Sequence, residues 1–203
     1  MDTQNQAIKN LTKTWPFIKE ECLSVLGSEL HYQAMIYHCL REYGQVPKDQ
    51  IGMNVKMWID NPVSALFKKL DKQKQEDYQG GFEPIPDIVL FSSSIHGDWR
   101  RRNRENTLKH MLLVIEVKAS ERESSRLRPG EIIDDIKKLA AHREEVIALD
   151  SNFYPVMMII DSAPDINERM TEQALLKAKG MAESLNVGFL YASPENDIFL
   201  LQK

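Results

Sequence analysis

Apolar residues along this chain switch repeatedly between helical spacing and the short continuous runs that are typical of buried strands. Helical spacing extends over residues 5–26, 29–43, 61–78, 129–149 and 167–185. Strand-like runs occupy residues 51–59, 87–91, 111–119 and 153–160, and a closing hairpin follows at 187–191 and 198–201. This alternation predicts an α/β fold, which we expect to be a three-layer α/β/α sandwich.

Turn-forming residues and the order of the strands add detail to this prediction. Pro16 predicts the start of a second short helix within residues 5–26, and Gly44 predicts the C-terminal cap of the helix at 29–43. The alternation in residues 51–59 is typical of a half-buried strand at a sheet edge. We expect this strand to form a meander with the strands at 87 and 111, so that the central sheet is mixed.

The size of the chain favours one domain. A length of 203 residues, of which 42% are hydrophobic, can bury one substantial core. We therefore predict a single domain over residues 1–203. Residues 28–161 would form its core, residues 1–27 an N-terminal helical addition, and residues 162–203 a C-terminal helix and hairpin.

Three charged residues interrupt the apolar strands at 87–91 and 111–119. Asp87 opens the first strand, and Glu116 and Lys118 stand in the second. Residues two apart in a strand point to the same face, roughly 6.6 Å from each other, so a carboxylate and an ammonium emerge side by side. Charges at the end of a buried strand cost several kcal/mol unless they are paired or bind a metal. Metal-dependent phosphodiester chemistry is one function that would require these charges at the ends of buried strands.

The sequences Pro86-Asp87 and Glu116-Val117-Lys118, with an acidic helix upstream, resemble the motif of the PD-(D/E)XK nuclease superfamily. The predicted element order is also similar to the αβββαβ core of its restriction-endonuclease-like fold, over about residues 29–161. The resemblance implies that Asp87 and Glu116 bind Mg²⁺, for which Mn²⁺ could substitute, with the Val117 carbonyl as a further ligand. It implies that Lys118 orients the attacking water or stabilises charge on the scissile phosphate.

The resemblance also implies a further acid from the helix before the meander. Glu29 is our candidate because helix phase places it on the apolar stripe, and Gln33, one turn later, would support it. Glu83, in a proline-rich segment, is a second candidate. Asp135 lies on the helix after the Glu116 strand and would line the same cleft, with Lys138 and with His142, which we interpret as a surface histidine.

Each of these residues also has a purely structural interpretation. Glu29 could be an acidic residue favoured by the helix dipole at a helix N-terminus. Asp87 could be a turn residue after Pro86, and Glu116 could simply pair with Lys118. The sequence leaves these alternatives open.

Two basic segments flank the Glu116 strand, although the chain as a whole is acidic. With a net charge of −4 and a pI near 5.8, the chain is not a generally basic nucleic-acid coat, so contacts to phosphate must be local. Trp99 stands beside the first segment and could stack on a base. Both segments could instead be solvated loops. The candidate phosphate-binding residues are Arg100, Arg101, Arg102 and Arg104 in the first segment, Arg126 within residues 122–128, and Lys138.

Cysteine usage and hydropathy indicate the compartment. Cys22 and Cys39 lie in predicted apolar helix faces without zinc-ligand spacing, so we expect two buried free thiols. The polar N-terminus does not resemble a signal peptide, and no apolar run is long enough to span a membrane. We therefore predict a cytoplasmic protein that does not bind membranes.

The main hypothesis from the sequence is a Mg²⁺-dependent nuclease that hydrolyses phosphodiester bonds of DNA, more plausibly as an endonuclease. RNA is not excluded as the substrate, and a homodimer would suit double-strand cleavage. The alternative is a catalytically inactive nuclease-like module that binds nucleic acid or a protein partner in a defence or repair complex. A third interpretation is an unrelated α/β protein in which Glu116 and Lys118 only form an ion pair.

Overall fold

A six-stranded mixed sheet forms the centre of the fold in the computed structural model, which describes residues 1–120 and 126–201. Its strands are β1 (Ile51–Met53), β4 (Ile88–Phe91), β5 (Met111–Ala119), β6 (Tyr154–Ile160), β7 (Gly188–Ala192) and β8 (Asp197–Leu200). They lie side by side in the order β1-β4-β5-β6-β7-β8. A second, two-stranded sheet consists of β2 (Ile59–Asp60) and β3 (Gly81–Phe82).

The strand directions confirm the predicted meander and the mixed sheet. β1, β4 and β5 pair antiparallel, with Ile51 opposite Leu90 and Ile88 opposite Ile115. β5, β6 and β7 are parallel, so a helix must return the chain between successive strands. β7 and β8 form the predicted closing antiparallel hairpin.

Helices cover both faces of the sheet. They are α1 (Gln4–Leu23), α2 (Glu29–Glu42), α3 (Ala65–Lys72), α4 (Arg104–Lys109), α5 (Pro129–Ile147) and α6 (Glu172–Ser184). α1 and α2 share one core with Ile88, Leu90 and Ile115, while α5 and α6 share the other with Val89 and Val114. Because neighbouring strand residues point to opposite faces, the continuous apolar runs of β4 and β5 supply both cores. The mixed α/β architecture predicted from the sequence is therefore present.

The first helix corrects the prediction based on Pro16. Instead of two short helices, α1 is one continuous helix with Pro16 inside it. Proline removes one backbone N–H and normally kinks or breaks a helix. Here Leu11, Trp15 and Ile18 are buried on either side of the proline, so apolar packing keeps the helix together across the missing hydrogen bond.

Gly44 has a different role from the one predicted. α2 ends at Glu42, and the residue with left-handed backbone after it is Gln45, at φ 55°. A Cβ on Gly44 would lie 2.6 Å from the Leu40 carbonyl oxygen and 2.6 Å from Thr14 Oγ1 on α1. Glycine is needed there for the close contact between α1 and α2.

Several predicted boundaries shift. Residues 51–59 form two short strands, β1 and β2, in different sheets, because Asn54 adopts a positive φ of 49° that turns the chain. The helix predicted for 61–78 is the shorter α3 followed by a single 3₁₀ turn, and α6 starts at Glu172, after another such turn, rather than at 167. The short pairing of β2 with β3 was not predicted.

Both cysteines are buried free thiols, as expected. Burial raises the pKa of Cys22 to about 12 and the pKa of Cys39 to about 11. Within residues 1–120 and 126–201, none of the helices combines the length and the apolar character that a bilayer crossing requires.

Gly44→Ala should lower the free energy of unfolding by about 1–3 kcal/mol, because its Cβ would force α1 away from α2. Gly180→Ala is the matched control: Gly180 lies inside α6, and a Cβ there meets nothing within 4 Å. Helix propensity predicts a stabilisation of about 0.5–1 kcal/mol for this control. Urea unfolding of the two variants would reject the packing role of Gly44 if both changed stability in the same direction.

Candidate active site

The carboxylate of Asp87 lies where the backbone pairing of β4 with β5 ends. β4 begins at Ile88, and Asp87 is the residue just before it. The Asp87 side chain still contacts β5, because its Oδ2 accepts a hydrogen bond of 2.7 Å from the Val117 amide. Asp87 Oδ1 accepts a second one, of 2.8 Å, from Gln33 Nε2 on α2. Asp87 is only 6% exposed. It therefore joins α2, β4 and β5 from within the protein.

The turn after β1 orients Gln33. Asn54 donates its backbone N–H to the Asp87 carbonyl at 3.0 Å and its side-chain Nδ2 to Gln33 Oε1 at 3.3 Å. With its oxygen bound to Asn54, Gln33 presents its amide N–H₂ group to Asp87. Gln33, which we expected to support Glu29, instead orients the Asp87 carboxylate.

Lys118 lies at the centre of an acidic cluster, which consists of Glu29, Asp87, Glu116 and Asp135. Its Nζ is 3.3 Å from Glu29 Oε2, 3.4 Å from Asp135 Oδ2 and 3.9 Å from Glu116 Oε1. The acidic partners come from α2, β5 and α5, three elements that are far apart in sequence. The structure thus brings together Glu29, Glu116, Lys118 and Asp135, which sequence reasoning had placed near one cleft.

Burial perturbs the protonation of two of these carboxyl groups. Burial raises the pKa of Glu116 to about 8, and the nearby charges of Asp87 and Asp135 add to the rise. Burial also raises the pKa of Asp87 to about 6, although the hydrogen bond from the Val117 amide opposes the shift. With a pKa of about 8, Glu116 retains its proton near neutral pH unless a cation compensates its charge. Ionising all four carboxyl groups of the cluster would place more negative charge beside Lys118 than its single ammonium neutralises.

Lys118 remains an ammonium. Its partial burial disfavours the charge, but the carboxylates of Asp135, Glu29 and Glu116 outweigh that effect and raise its pKa above the ordinary value. A lysine in this state has no free lone pair to accept a proton. Its charge can instead stabilise negative charge that develops on a bound group.

Of the two candidates for the additional acid, Glu29 is the one in contact with Lys118. Glu29 begins α2 directly after the N-cap Ser28 and reaches Lys118 at 3.3 Å. Glu83 Oε1 instead lies 2.6 Å from Arg101 Nε. Asp135, which we expected only to support the site, contacts Lys118 directly and also accepts a hydrogen bond of 2.8 Å from Lys138.

Most of the arginines before β5 have partners. Arg100 binds both oxygens of Asp98, with Nε–Oδ1 and Nη2–Oδ2 distances of 2.7 Å. Arg101 pairs with Glu83, and Arg104 pairs with Asp60. Arg102 is exposed and forms no ion pair within the part of the chain that the structure describes. Arg102 is thus the member of this segment most available to a phosphate.

Trp99 and His142 differ from what the sequence suggested. Trp99 is half-buried and stacks on Phe91, with ring centroids 5.5 Å apart and planes inclined by 5°, so one face of its ring is already covered. His142 is not a surface histidine: it is 2% exposed and lies edge-on to Phe153 at a centroid distance of 5.1 Å. α3 and β6 approach this flank of α5, which helix phase alone could not reveal.

The second basic segment is described only in part. Arg122 lies outside the described residues. Arg126 is exposed, and its Nε donates to the Asn167 carbonyl, which ties it to the 3₁₀ turn before α6.

The donor atoms at the end of β4 and β5 suit a hard divalent cation chemically. They are carboxylate oxygens, and each Asp87 oxygen keeps a lone pair after accepting its hydrogen bond. Since the N–H and C=O of one strand residue point to the same side, the Val117 carbonyl lies on the β4 side of β5, as its amide does. Among residues 1–120 and 126–201, however, no group of three or more His, Cys, Asp or Glu side chains is arranged to hold a metal. Mg²⁺ commonly uses one or two carboxylates, with water and substrate phosphate completing its shell.

Comparisons with protein-family models, with curated protein sequences and with solved structures each yield no match for this chain.

The protein without metal should lose about 2 kcal/mol of stability between about pH 6.5 and pH 8.5. A carboxyl group whose pKa is raised on folding stabilises the folded state below its unfolded pKa, here 4.5, and this stabilisation is lost as the pH passes its folded value of about 8. The buried His142 has a pKa lowered to about 3 and destabilises only below its ordinary 6.5, so it does not affect this range.

Urea unfolding across this pH range, for the wild type and Glu116→Gln, measures the loss. The glutamine variant should show a flatter profile, because it cannot release a proton. Parallel profiles for the two proteins would mean that Glu116 does not titrate in this range.

Proposed function

We propose that this protein is a Mg²⁺-dependent nuclease that hydrolyses phosphodiester bonds of DNA, with its active site in the acidic cluster around Lys118. The observation that carries the proposal is the gathering of acidic groups at the end of β4 and β5: Glu29, Glu116 and Asp135 converge on one ammonium, and burial raises the pKa values of Glu116 and of the neighbouring Asp87. Such an arrangement is costly for a merely structural cluster. A divalent cation would relieve it.

The order of elements supports the resemblance to the PD-(D/E)XK superfamily. α2, the β1-β4-β5 meander, α5 and β6 follow one another in the order of an αβββαβ core, with β2, α3 and β3 inserted between β1 and β4. Asp87 and the Glu116/Lys118 pair lie at the start of β4 and towards the end of β5, the neighbouring ends of two antiparallel strands. We propose the restriction-endonuclease-like, three-layer form of the fold on this basis.

In the proposed reaction, Asp87, Glu116 and the Val117 carbonyl would hold the ion, with Glu29 as the further acid. A bound Mg²⁺ supplies Lewis-acid polarisation of the phosphate and lowers the pKa of bound water. Lys118, protonated and surrounded by acids, stabilises the negative charge that builds up on the phosphoryl oxygens. Gln33 and the Val117 amide fix the orientation of the Asp87 carboxylate.

Other features of the proposal follow from the same site. Mn²⁺ should replace Mg²⁺, because it takes the same oxygen ligands. A homodimer would place two sites on the two strands of a duplex. A cytoplasmic location accords with the free thiols of Cys22 and Cys39.

Asp87→Ala and Lys118→Ala should each reduce cleavage of plasmid or linear DNA by at least about 100-fold in Mg²⁺ or Mn²⁺. Asp87→Asn, nearly isosteric, separates loss of charge from loss of packing. Asp134→Ala and Lys137→Ala are matched controls, because this exposed pair lies on the same helix as Asp135 and contacts no residue of the acidic cluster. The measurement is the initial rate of cleavage by folded protein. Undiminished cleavage by the Asp87 and Lys118 variants would contradict the proposal.

The ion pairs of Lys118 also suit a second candidate, a nuclease-like module without catalytic activity. In that case the ammonium itself is the permanent counter-ion of Glu29, Glu116 and Asp135. Calorimetric titration with Mg²⁺ or Mn²⁺ distinguishes the two. A nuclease should bind the ion with an affinity that depends on Asp87, whereas the inactive module should show no such binding.

Arg102→Ala should weaken DNA binding and reduce the slope of log K against log salt by about 1, because one phosphate contact is lost. Arg100→Ala should have a smaller effect, since Asp98 already holds the Arg100 guanidinium at both ends. Fluorescence anisotropy without divalent metal, at several salt concentrations, measures both slopes. Equal slopes for wild type and Arg102→Ala would exclude Arg102 from the interface.

A further inference from the structure

A cavity of about 270 Å³ adjoins the acidic cluster on the side of α5. Glu116 and Asp135 belong to both the cluster and the cavity wall. The remaining wall is formed by α3, by α5, by the end of β3 and by the segment between β3 and β4. A group held in this cavity would therefore lie next to whatever binds at Lys118.

The apolar part of the wall is suited to a flat ligand. Phe67 and Phe82 stack on each other, with centroids 4.3 Å apart, and Pro84 and Leu139 add further apolar surface. The volume lies just below the roughly 300–1,000 Å³ of typical small-molecule sites. The cavity can therefore enclose one ring system but not a whole nucleotide.

His142 adds an unsatisfied polar group. Its Nε2 is buried and has no hydrogen-bond partner among the residues that the structure describes. Burial lowers the pKa of His142 to about 3, so the imidazole is neutral and Nε2 can donate or accept according to its tautomer. A buried polar atom without a partner costs about 1–3 kcal/mol, which a ligand offering a complementary atom would recover.

The charges in the wall narrow the choice of ligand. The carboxylates of Glu83 and Asp135 line the wall together with one cation, Lys138, and Glu116 adds a third acidic group, so an anion such as a phosphate group is disfavoured inside. Carboxylates accept hydrogen bonds and therefore favour a neutral group with N–H donors. An aliphatic side chain of a protein partner would leave His142 unpaired. A planar, neutral heterocycle with N–H groups satisfies all of these features.

We propose that this cavity binds a single nucleobase, unstacked from the strand whose phosphate lies at Lys118. The assignment of the strand and its phosphate rests on the proposed function; the fit of a planar heterocycle to the cavity does not. Removing a base from its stack costs a few kcal/mol, and costs least for a mismatched, damaged or single-stranded base. The cavity therefore predicts a preference for DNA with unpaired or distorted bases over perfect duplex.

The first test is titration of the metal-free protein with adenosine and cytidine, followed by NMR, with ribose 5-phosphate as the comparison. We expect saturable nucleoside binding with a Kd on the order of 1 mM and none for the sugar phosphate. His142→Phe should weaken nucleoside binding at least about tenfold while the Tm is unchanged or raised, because the ring is kept and an unpaired buried nitrogen is removed. A purely structural His142 could not produce that combination.

A second variant fills the cavity. Leu139→Phe extends the wall inwards and should also weaken adenosine binding, whereas Leu149→Phe, at a 43%-exposed position outside the cavity wall, should not. Absence of saturable nucleoside binding, as expected if only water occupies the cavity, would overturn the proposal. Adenosine binding that survives both His142→Phe and Leu139→Phe would do the same.

These titrations need neither Mg²⁺ nor cleavage, so they fail separately from the proposed function. A protein that cleaves DNA but binds no nucleoside would refute the base cavity alone. A protein that binds adenosine through His142 but cleaves no DNA would refute the nuclease proposal alone.

Discussion

The ammonium of Lys118 is the cation on which the local arrangement of α2, β5 and α5 depends. Glu29, Glu116 and Asp135 project towards one another from these elements, and without a central positive charge their mutual repulsion would separate them. Burial raises the pKa of Glu116, and the nearby charges of Asp87 and Asp135 add to the rise. A divalent cation bound beside these groups would oppose the rise by favouring their charged forms.

A second constraint is the backbone at the end of the β4–β5 pairing. An unpaired amide inside a protein is costly, and the Asp87 carboxylate accepts the hydrogen bond from Val117 where β4 no longer pairs. The chain thereby buries an acidic group and at the same time provides a hydrogen-bond acceptor for the Val117 amide. Gln33 and Asn54 complete the network, so the Asp87 side chain has a fixed orientation before any ligand binds.

The cavity beside the cluster follows from the way α3 and the segment before β4 close over α5. Phe67 lies in α3 and Phe82 lies in β3, and their rings stack on each other at this position. His142 lines the same cavity, and its Nε2 has no hydrogen-bond partner within residues 1–120 and 126–201. The proposed nucleobase site thus depends on the insertion between β1 and β4, while the acidic cluster depends on the elements on either side of it.

The sequence by itself determined most of the central strands and the helices that cover them, and it singled out the residues of the acidic cluster. Periodicity and burial are local properties, so buried strands that carry Asp87, Glu116 and Lys118, and a helix phase that turns Glu29 inwards, can be recognised without coordinates. Only the tertiary structure decided which charges are already paired, that Trp99 stacks on Phe91, that His142 is buried and that Gly44 serves helix packing. Each of these depends on a contact between side chains in the folded protein. The pattern of residues along the chain does not contain the distances between such side chains.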